Sequence, residues 1–302
     1  MKLQHLLLLG AVFGGASACG DDGGAKTTVP GPLAYVRYVH AMPDTGAVDV
    51  HLVDQVENLN ANAVAYRNVT AYQGIAPGAR HFRVWTTSND INVIAANKIL
   101  DTTITFAANT YYTIVHSGYA RTGQTPKQQF CVLTDAAPTP AAGKFAIRAI
   151  VAAPGFTTDQ DVYLTRNVAT SGTAAPAPTA GATPIATATN VTAASPCPTP
   201  TAWVELDTVQ RRDRVTNVGG NASIYVYNTG TVIPAAANLT SVVVPGEPTG
   251  KPPESVVSAI AGARIPGSVL AAFLFPTGVT GSPAAGAATA QYGVDKRPPE
   301  TP

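Results

Sequence analysis

The stretch "VRYVHAMPDTGAVDVHL", from Val36 to Leu52, decides the fold of this chain. Apolar and polar residues alternate around Val48, Val50 and Leu52, which is typical of a strand with one buried face. Pro43 interrupts the apolar pattern. Because proline fixes φ and has no backbone N–H, it belongs in a corner between strands. The stretch therefore predicts a strand, a corner and a second strand.

A second stretch, "IRAIVAAPGFTTDQDVYL", repeats this pattern from Ile147 to Leu164. Two further pairs of segments align. The segments that begin at Asn68 and Asn190 would make Val204 equivalent to Phe82. The segments that end the two halves would make Tyr292 equivalent to Phe130. These matches predict two copies of one domain. In the first match, Arg37, Pro43 and Asp49 correspond to Arg148, Pro154 and Asp161.

Short apolar runs bounded by turn residues continue through both halves, without helical periodicity. Such a pattern predicts an all-β fold of two tandem immunoglobulin-like antiparallel β-sandwiches, residues 33–140 and 141–302. An Ala/Pro/Thr-rich insert at about 169–189 is expected to form a surface loop. Residues 255–263 could form either a helical turn or a strand. The expected runs are 33–41, 47–53, 63–69, 81–86, 102–106, 111–117 and 128–133, then 145–151, 161–165, 202–206, 223–227, 241–244, 269–275 and 290–294.

The charge balance excludes one class of partner. The formal net charge is +1, and only 12% of the residues are charged. Nucleic-acid binding requires a strongly basic surface, so we expect no nucleic-acid partner. After the N-terminus, no apolar segment is long enough to span a bilayer.

The N-terminus "MKLQHLLLLGAVFGGASACGDDGG" predicts an export signal over residues 1–18. Small residues precede Cys19, as in a bacterial lipobox, although Ala16 stands where leucine is usual. This resemblance implies lipidation of Cys19, a flexible tether over 19–32, and a location in the cell envelope. The residue after Cys19 is not aspartate, which favours the outer membrane, on its periplasmic or surface face. The alternative is cleavage by ordinary signal peptidase and secretion.

The first half resembles the family called domain of unknown function 4397 (DUF4397). The resemblance covers most of residues 33–137 and implies an exported bacterial β-sandwich, usually in tandem, without a known activity. In the second half, membership depends on Arg148, Pro154, Asp161 and their spacing. The family pattern is carried in the first half by Val36, Arg37, Val39, His40, Ala41, Pro43, Asp44, Val48, Asp49, Val50 and Leu52.

His40, Asp44 and Asp49 are the only motif residues that invite a catalytic or metal-binding interpretation. A structural role is favoured, because the second half lacks two of the three. We expect a half-buried, hydrogen-bonded His40, a turn-capping Asp44 and an outward-facing Asp49. No catalytic residue, metal site or cofactor is therefore predicted, and the chain is not expected to be an enzyme.

Cys131 and Cys197 are the cysteines that remain after export. An even pair in an oxidising compartment is a candidate disulfide, here between the two domains. Alternatively, Cys131 is simply a small buried apolar residue.

Aromatic residues offer a second alternative. A carbohydrate platform could use exposed rings, but most aromatic residues on strands fill cores. Adjacent Tyr111 and Tyr112 must face opposite sides of their strand, so one of them is expected to be exposed. The aromatic candidates are Trp85, Trp203, Tyr72, Tyr111 and Tyr112.

The sequence thus favours a membrane-anchored envelope lipoprotein that acts as a structural, adhesive or protein-binding module. Its partners would be the membrane, through the N-terminal lipid, and envelope proteins or glycans. A carbohydrate-binding or envelope-remodelling component is the alternative.

Overall fold

The structure is a computed structural model that describes residues 31–54, 60–167, 175–209, 220–233, 238–246, 261–280, 282 and 286–296. The described residues from Pro32 onward belong to one compact unit. This unit is almost entirely β and consists of two sandwich-like halves, so the predicted all-β fold is confirmed. The finer immunoglobulin-like assignment stays a prediction. The export signal, Cys19 and most of the tether lie outside the described residues.

The first half contains two four-stranded sheets. The sheet that faces the other half, called the inner sheet, has the order β4-β1-β7-β8, and the outer sheet has the order β3-β2-β5-β6. Strands β1 and β7 run parallel, while the other pairs are antiparallel. The elements are β1 (Ala34–Ala41), β2 (Val48–Leu52), β3 (Asn60–Val64), β4 (Gln73–Ile75), β5 (Gly78–Thr86), α1 (Ile91–Ala96), β6 (Lys98–Phe106), β7 (Tyr111–Ser117) and β8 (Gln129–Thr134).

The second half has the same strand order. Its inner sheet is β12-β9-β15-β16, with β9 and β15 parallel, and its outer sheet is β11-β10-β13-β14. The elements are β9 (Lys144–Val151), β10 (Gln160–Asn167), β11 (Ala186–Ala188), β12 (Val204–Asp207), β13 (Asn221–Asn228), β14 (Thr240–Val243), β15 (Val269–Phe275) and β16 (Thr289–Lys296).

Each half has its own apolar core between its two sheets, and a third apolar cluster joins the two inner sheets. On β1, alternate side chains divide between these environments: Val36 enters the core of its own half, while Val39 enters the joining cluster. On the opposite side, Ile150 and Phe273 contribute to that cluster. The inner strands are therefore buried on both faces, which explains why β1, β7, β9 and β15 are nearly continuous apolar runs.

The sequence predicted most strands, but the structure differs from the expectation at several elements. Strand β3 begins at Asn60, earlier than expected, and the short strand β4 and helix α1 were not expected. Asp90 caps α1 by accepting a hydrogen bond from the Asn92 amide (2.8 Å). The expectation of a loop over 169–189 was wrong at its end, because β11 pairs there with β10. The undecided segment 255–263 lies mostly outside the described residues.

The register of the strands corrects part of the predicted repeat. Strands β12 and β4 occupy equivalent edges, because Val204 pairs with Ile147 as Gln73 pairs with Val36. Val204 is therefore not the counterpart of Phe82, which lies on β5 in the outer sheet. The C-terminal alignment is also shifted by two residues. Thr113 pairs with Leu133 as Ala271 pairs with Gly293. The sequence alignment was wrong at these segments because the loops between corresponding strands differ in length in the two halves.

Two histidines lie in the first half without access to solvent, His40 and His116. The prediction of a half-buried His40 was therefore wrong. Its Nε2 donates to the Gly46 carbonyl (2.8 Å), and its Nδ1 accepts from the Met42 amide (3.3 Å). His116 accepts from the Tyr38 hydroxyl (2.7 Å) and donates to Gln128 Oε1 (2.6 Å). Each ring is thus hydrogen-bonded in its neutral form.

Burial is the main reason why the pKa of His40 falls to about 4 and that of His116 to about 3. The Gly46 carbonyl and Asp44 oppose this effect at His40, and Gln128 opposes it at His116. Protonation would place a charge in an apolar core and turn the acceptor Nδ1 into a donor. Both histidines are therefore structural and neutral near pH 7.

We expect the free energy of unfolding to fall as the pH drops from about 6.5 to about 4. In this interval the unfolded chain binds protons that the folded core excludes. The contribution of His40 alone is on the order of 3 kcal/mol, from about 1.4 kcal/mol per pKa unit. Urea unfolding at a series of pH values measures this dependence. His40→Asn should make the dependence shallower, with the contribution of His116 remaining, whereas His51→Gln, on the outer face of β2, should not. An unchanged pH dependence in His40→Asn would contradict the assignment.

Candidate functional site

The structure disperses the motif residues of the first half. Asp44 accepts hydrogen bonds from the amides of Ala120 (3.0 Å) and Arg121 (2.9 Å) and so holds the β7–β8 connection, while in its own turn it accepts only from the Thr45 hydroxyl (3.2 Å). Asp49 accepts from the Ala63 amide and the Thr87 hydroxyl at the surface of the outer sheet. These carboxylates do not converge with His40 on one site.

The remaining motif residues serve the same connections. Pro43 lies in the corner between β1 and β2, where its carbonyl accepts from the Val279 amide (3.1 Å) of the second half. Pro154 lies in the equivalent corner between β9 and β10. Asp161 accepts from the Thr187 hydroxyl (2.7 Å) at the surface of the second outer sheet, as Asp49 does in the first.

The two motif arginines, in contrast, meet between the inner sheets. The Arg37 side chain is 1% exposed, and its Nη2 lies 2.6 Å from Asp295 Oδ1 of the second half. Arg148 reaches the opposite way and forms an ion pair with Asp135 of the first half. It also lies 3.0 Å from Asp295 Oδ2. We call these four residues the inter-half charge network.

Asp135 is the most highly coordinated member of this network. Besides Arg148, it accepts hydrogen bonds from the hydroxyls of Tyr72 (2.7 Å) and Thr113 (2.5 Å). Arg37 Nε in turn donates to the Thr113 hydroxyl (2.7 Å), so Thr113 relays between Arg37 and Asp135. Burial raises the pKa of Tyr72 well above its ordinary value, although Arg37 partly opposes this effect. The hydroxyl therefore stays protonated and remains a donor.

Asp295 is less completely satisfied. Burial raises the pKa of its carboxyl above the ordinary value, although Arg37 and Arg148 lower it. The contact from Arg37 to Asp295 Oδ1 is a close charge pair without the alignment of a hydrogen bond. Since ion pairs repay their desolvation only with good geometry, this network contributes more to the orientation of the halves than to net stability.

The network has an approximate internal symmetry. Arg37 and Arg148 occupy equivalent positions on β1 and β9, and Asp135 and Asp295 lie two residues beyond Leu133 and Gly293, which are equivalent in register. Aromatic rings cover both guanidinium groups: Tyr72 and Phe273 cover Arg37, at 4.6 and 5.0 Å, and Trp203 covers Arg148, at 4.4 Å. A Cβ at Gly293 would collide with the Arg37 guanidinium, so this position requires glycine.

A groove of about 1010 Å³ opens beside the network, between the two halves. Tyr35 and Tyr111 are stacked in it with ring centroids 4.6 Å apart and an interplanar angle of 12°. Tyr72 meets Tyr111 edge-on at 5.1 Å. Asp135 and Asp295 also line the groove, and Lys296 lies among the residues at its side. We call this the tyrosine groove.

The structure separates the five aromatic candidates. Tyr72 and Tyr111 line the tyrosine groove, whereas Tyr112 fills the core of the first half. Tyr111 is 39% exposed and Tyr112 is 9% exposed, as strand alternation predicts. Trp85 packs edge-on against His51 (5.4 Å) on the outer sheet, away from the groove. Trp203 covers Arg148 as Tyr72 covers Arg37.

Sequence reasoning missed Tyr35, Asp135 and Asp295. The alternation of Tyr35 with Arg37 on β1 places both on one face, and this signal could have identified Tyr35. The partnership of Arg37 with Asp295 joins residues at opposite ends of the chain and has no local signal.

A disulfide also joins the two halves. The sulfurs of Cys131 and Cys197 are bonded, and their Cα atoms are 5.5 Å apart. Cys131 lies on β8 of the first half, and Cys197 lies in the loop before β12 of the second. A covalent link therefore supplements the charge network and the apolar cluster between the inner sheets.

Two kinds of feature are absent from the described residues. No group of three or more histidine, cysteine, aspartate or glutamate residues within the described ranges is arranged to hold a metal ion. Among the same residues, no helix has the length and apolar character needed to cross a membrane.

Comparison with known families gives one match. Residues 34–163 match the family model described as "Domain of unknown function (DUF4397)". The matched segment is less than half of the chain and contains the first half, β9 and the beginning of β10. It includes Arg37, Asp135 and Arg148 but not Asp295. No curated protein matches the chain.

We expect Asp295→Asn to lower the free energy of unfolding by about 3–5 kcal/mol, because it leaves buried arginine charge without its counter-charge. Asp207→Asn is the matched control in the same half: Asp207 is exposed and pairs with Lys144 at the surface, so little change is expected. Chemical denaturation followed by tryptophan fluorescence measures both.

A double variant separates the charge effect from a packing effect. Arg37→Met with Asp295→Leu removes one positive and one negative charge together, and it should recover much of the lost stability. Equal stability of Asp295→Asn and Asp207→Asn would show that the network does not couple the halves.

Proposed function

We infer that this protein is a membrane-anchored lipoprotein of the bacterial envelope that acts as a binding module, in a structural, adhesive or protein-binding role, and not as an enzyme. The observation that carries this proposal is the tyrosine groove, an accessible aromatic surface between two halves that are linked by charges, apolar contacts and a disulfide. Ligand sites typically occupy such concave junctions.

The rigidity of the junction supports a binding role. Groups held in place before a ligand arrives lose little conformational entropy when it binds. In the tyrosine groove, Tyr72 is fixed by its hydrogen bond to Asp135 and by its contact with Arg37. Tyr111 packs against Tyr72 and Tyr35.

The positions of the polar motif residues also favour binding over catalysis. His40 and Asp44 are engaged with backbone groups of separate loops, and His40 lies in the core. General acid–base catalysis requires a titratable group within reach of a substrate. These side chains are committed to the fold, which supports a non-enzymatic role.

The anchor is supported by the sequence before the compact unit. The small residues ahead of Cys19 resemble a lipobox, and the polar segment that follows has the composition of a flexible tether. Secretion without a lipid is the alternative for this part of the proposal. Ligand access to the groove does not depend on which of the two applies.

A carbohydrate-binding or envelope-remodelling component is the second candidate. The specific observation in its favour is the set of three tyrosines in one groove, since aromatic rings offer flat apolar faces and polar edges together.

The anchor is tested by metabolic labelling with palmitate in a bacterial host. We expect the wild-type chain to incorporate the label and to fractionate with membranes, and Cys19→Ala to do neither. A Cys131→Ala/Cys197→Ala variant is the control and should retain the label, because it leaves Cys19 unchanged. Label that persists in Cys19→Ala would contradict lipidation.

The binding role is tested with purified protein from Lys26 to Pro302, which contains the whole compact unit. Fluorescently labelled protein should bind isolated envelopes of the native bacterium saturably. Tyr35→Ala/Tyr111→Ala should weaken this binding, whereas Trp85→Ala, on the outer sheet, should not. Absence of saturable binding by the wild-type protein would refute the proposed function.

A further inference from the structure

The tyrosines of the groove break the symmetry between the two halves. Tyr35 and Tyr111 are register partners on β1 and β7. The equivalent partners on β9 and β15 are Ala146 and Val269, and both are completely buried. The second half therefore closes this end of its inner sheet with small side chains, while the first half places two large rings there, and Tyr111 remains 39% exposed.

Packing alone does not account for the two rings. The core of the first half is built from side chains on the opposite face of β1 and β7, including Val36 and Tyr112. Tyr35 and Tyr111 instead contact each other and Tyr72. Because the two phenol rings are stacked on each other, the pair offers the groove apolar ring edges together with hydroxyl groups.

Charge determines which ligands suit this surface. The two arginines and two aspartates beside the groove balance one another and are paired within the inter-half charge network. Lys296 donates to the Thr139 hydroxyl (2.8 Å). An anionic ligand would have Lys296 as a counter-charge but would also lie beside the carboxylates of Asp135 and Asp295, whereas a neutral ligand needs no counter-charge.

We propose that the tyrosine groove binds a neutral saccharide, with a sugar ring packed against the exposed side of the stacked Tyr35–Tyr111 pair and its hydroxyls bonded to the tyrosine hydroxyls. A sugar ring combines a weakly polar face with a rim of hydroxyl groups, which matches the chemistry of the stacked rings. This assignment rests on the proposed function as a binding module and names its ligand class.

A proline-rich peptide is the competing ligand, because it also packs against aromatic grooves. It presents a series of backbone carbonyls that require donors at regular intervals. Outside the network, the side chains of Thr70, Tyr292 and Lys296 donate to other groups of the protein. Among the described residues that line the groove, this leaves the hydroxyls of Tyr35 and Tyr111 as the side-chain donors without a recorded partner. These sit side by side on a stacked pair, an arrangement better suited to one compact ring than to an extended chain.

The test uses purified protein from Lys26 to Pro302 on an array of neutral and anionic glycans, followed by calorimetric titration of the best neutral glycan and of a proline-rich decapeptide. We expect binding of neutral glycans that is insensitive to salt. Tyr111→Ala should weaken it about tenfold, the effect of losing one aromatic contact. Tyr111→Phe should retain the stacking and lose less.

Trp85→Ala is the matched control, because Trp85 is the partly exposed ring on the outer sheet of the same half. Loss of glycan binding in Trp85→Ala but not in Tyr111→Ala would overturn the assignment of the groove. Binding only to anionic glycans, only to the peptide, or to no glycan at millimolar concentration would overturn the ligand class. If the wild-type protein still binds envelopes in those cases, the proposed function stands and only the saccharide assignment fails.

Discussion

The exchange of buried charges between the two halves is the constraint on which the rest of the structure depends. Arg37 of the first half pairs with Asp295 of the second, and Arg148 of the second pairs with Asp135 of the first. A shift of one inner sheet against the other by a single residue would leave buried charges unpaired, at a cost of several kcal/mol. Apolar packing between the sheets would tolerate such a shift far better, so the charges fix how the halves face each other.

This fixed relation determines the geometry of the tyrosine groove. Tyr72 belongs both to the network, through Asp135, and to the groove, through Tyr111. The position of the rings is therefore coupled to the charges that orient the halves. The Cys131–Cys197 disulfide acts in the same direction, because it joins β8, the strand that precedes Asp135, to the second half. The groove is accordingly a property of the paired sandwiches and not of either one.

The sequence predicted the parts of this arrangement that have a local signal. Alternation on β2 and the apolar runs of β7 and β15 located these strands correctly, since side-chain direction in a strand follows from position alone. The repeat was recognised correctly at Arg37 and Arg148. It was misaligned further along, because loops of different length separate β4 from its true counterpart β12.

Other features lacked any such signal. Burial of His40 depends on hydrogen bonds to a corner that the alternation pattern does not describe. The candidate site depends on contacts between residues far apart in the chain, which the sequence pattern does not show. Asp135 and Asp295 were therefore not predicted, and Tyr72 and Tyr111 were predicted only as candidate aromatic residues.

The location of the charges also bears on what constitutes the folding unit. Without the second half, Arg37 would retain only the distant Asp135 (3.9 Å) as a counter-charge and would expose its apolar surroundings. Arg148, in contrast, would keep its contact with Asp295 of its own half (3.0 Å) and lose Asp135. The segment that matches the family model contains Arg37, Asp135 and Arg148 but ends before Asp295. The complete network therefore requires a residue that lies beyond the matched segment, and the pair of sandwiches is the smallest unit that can present the groove.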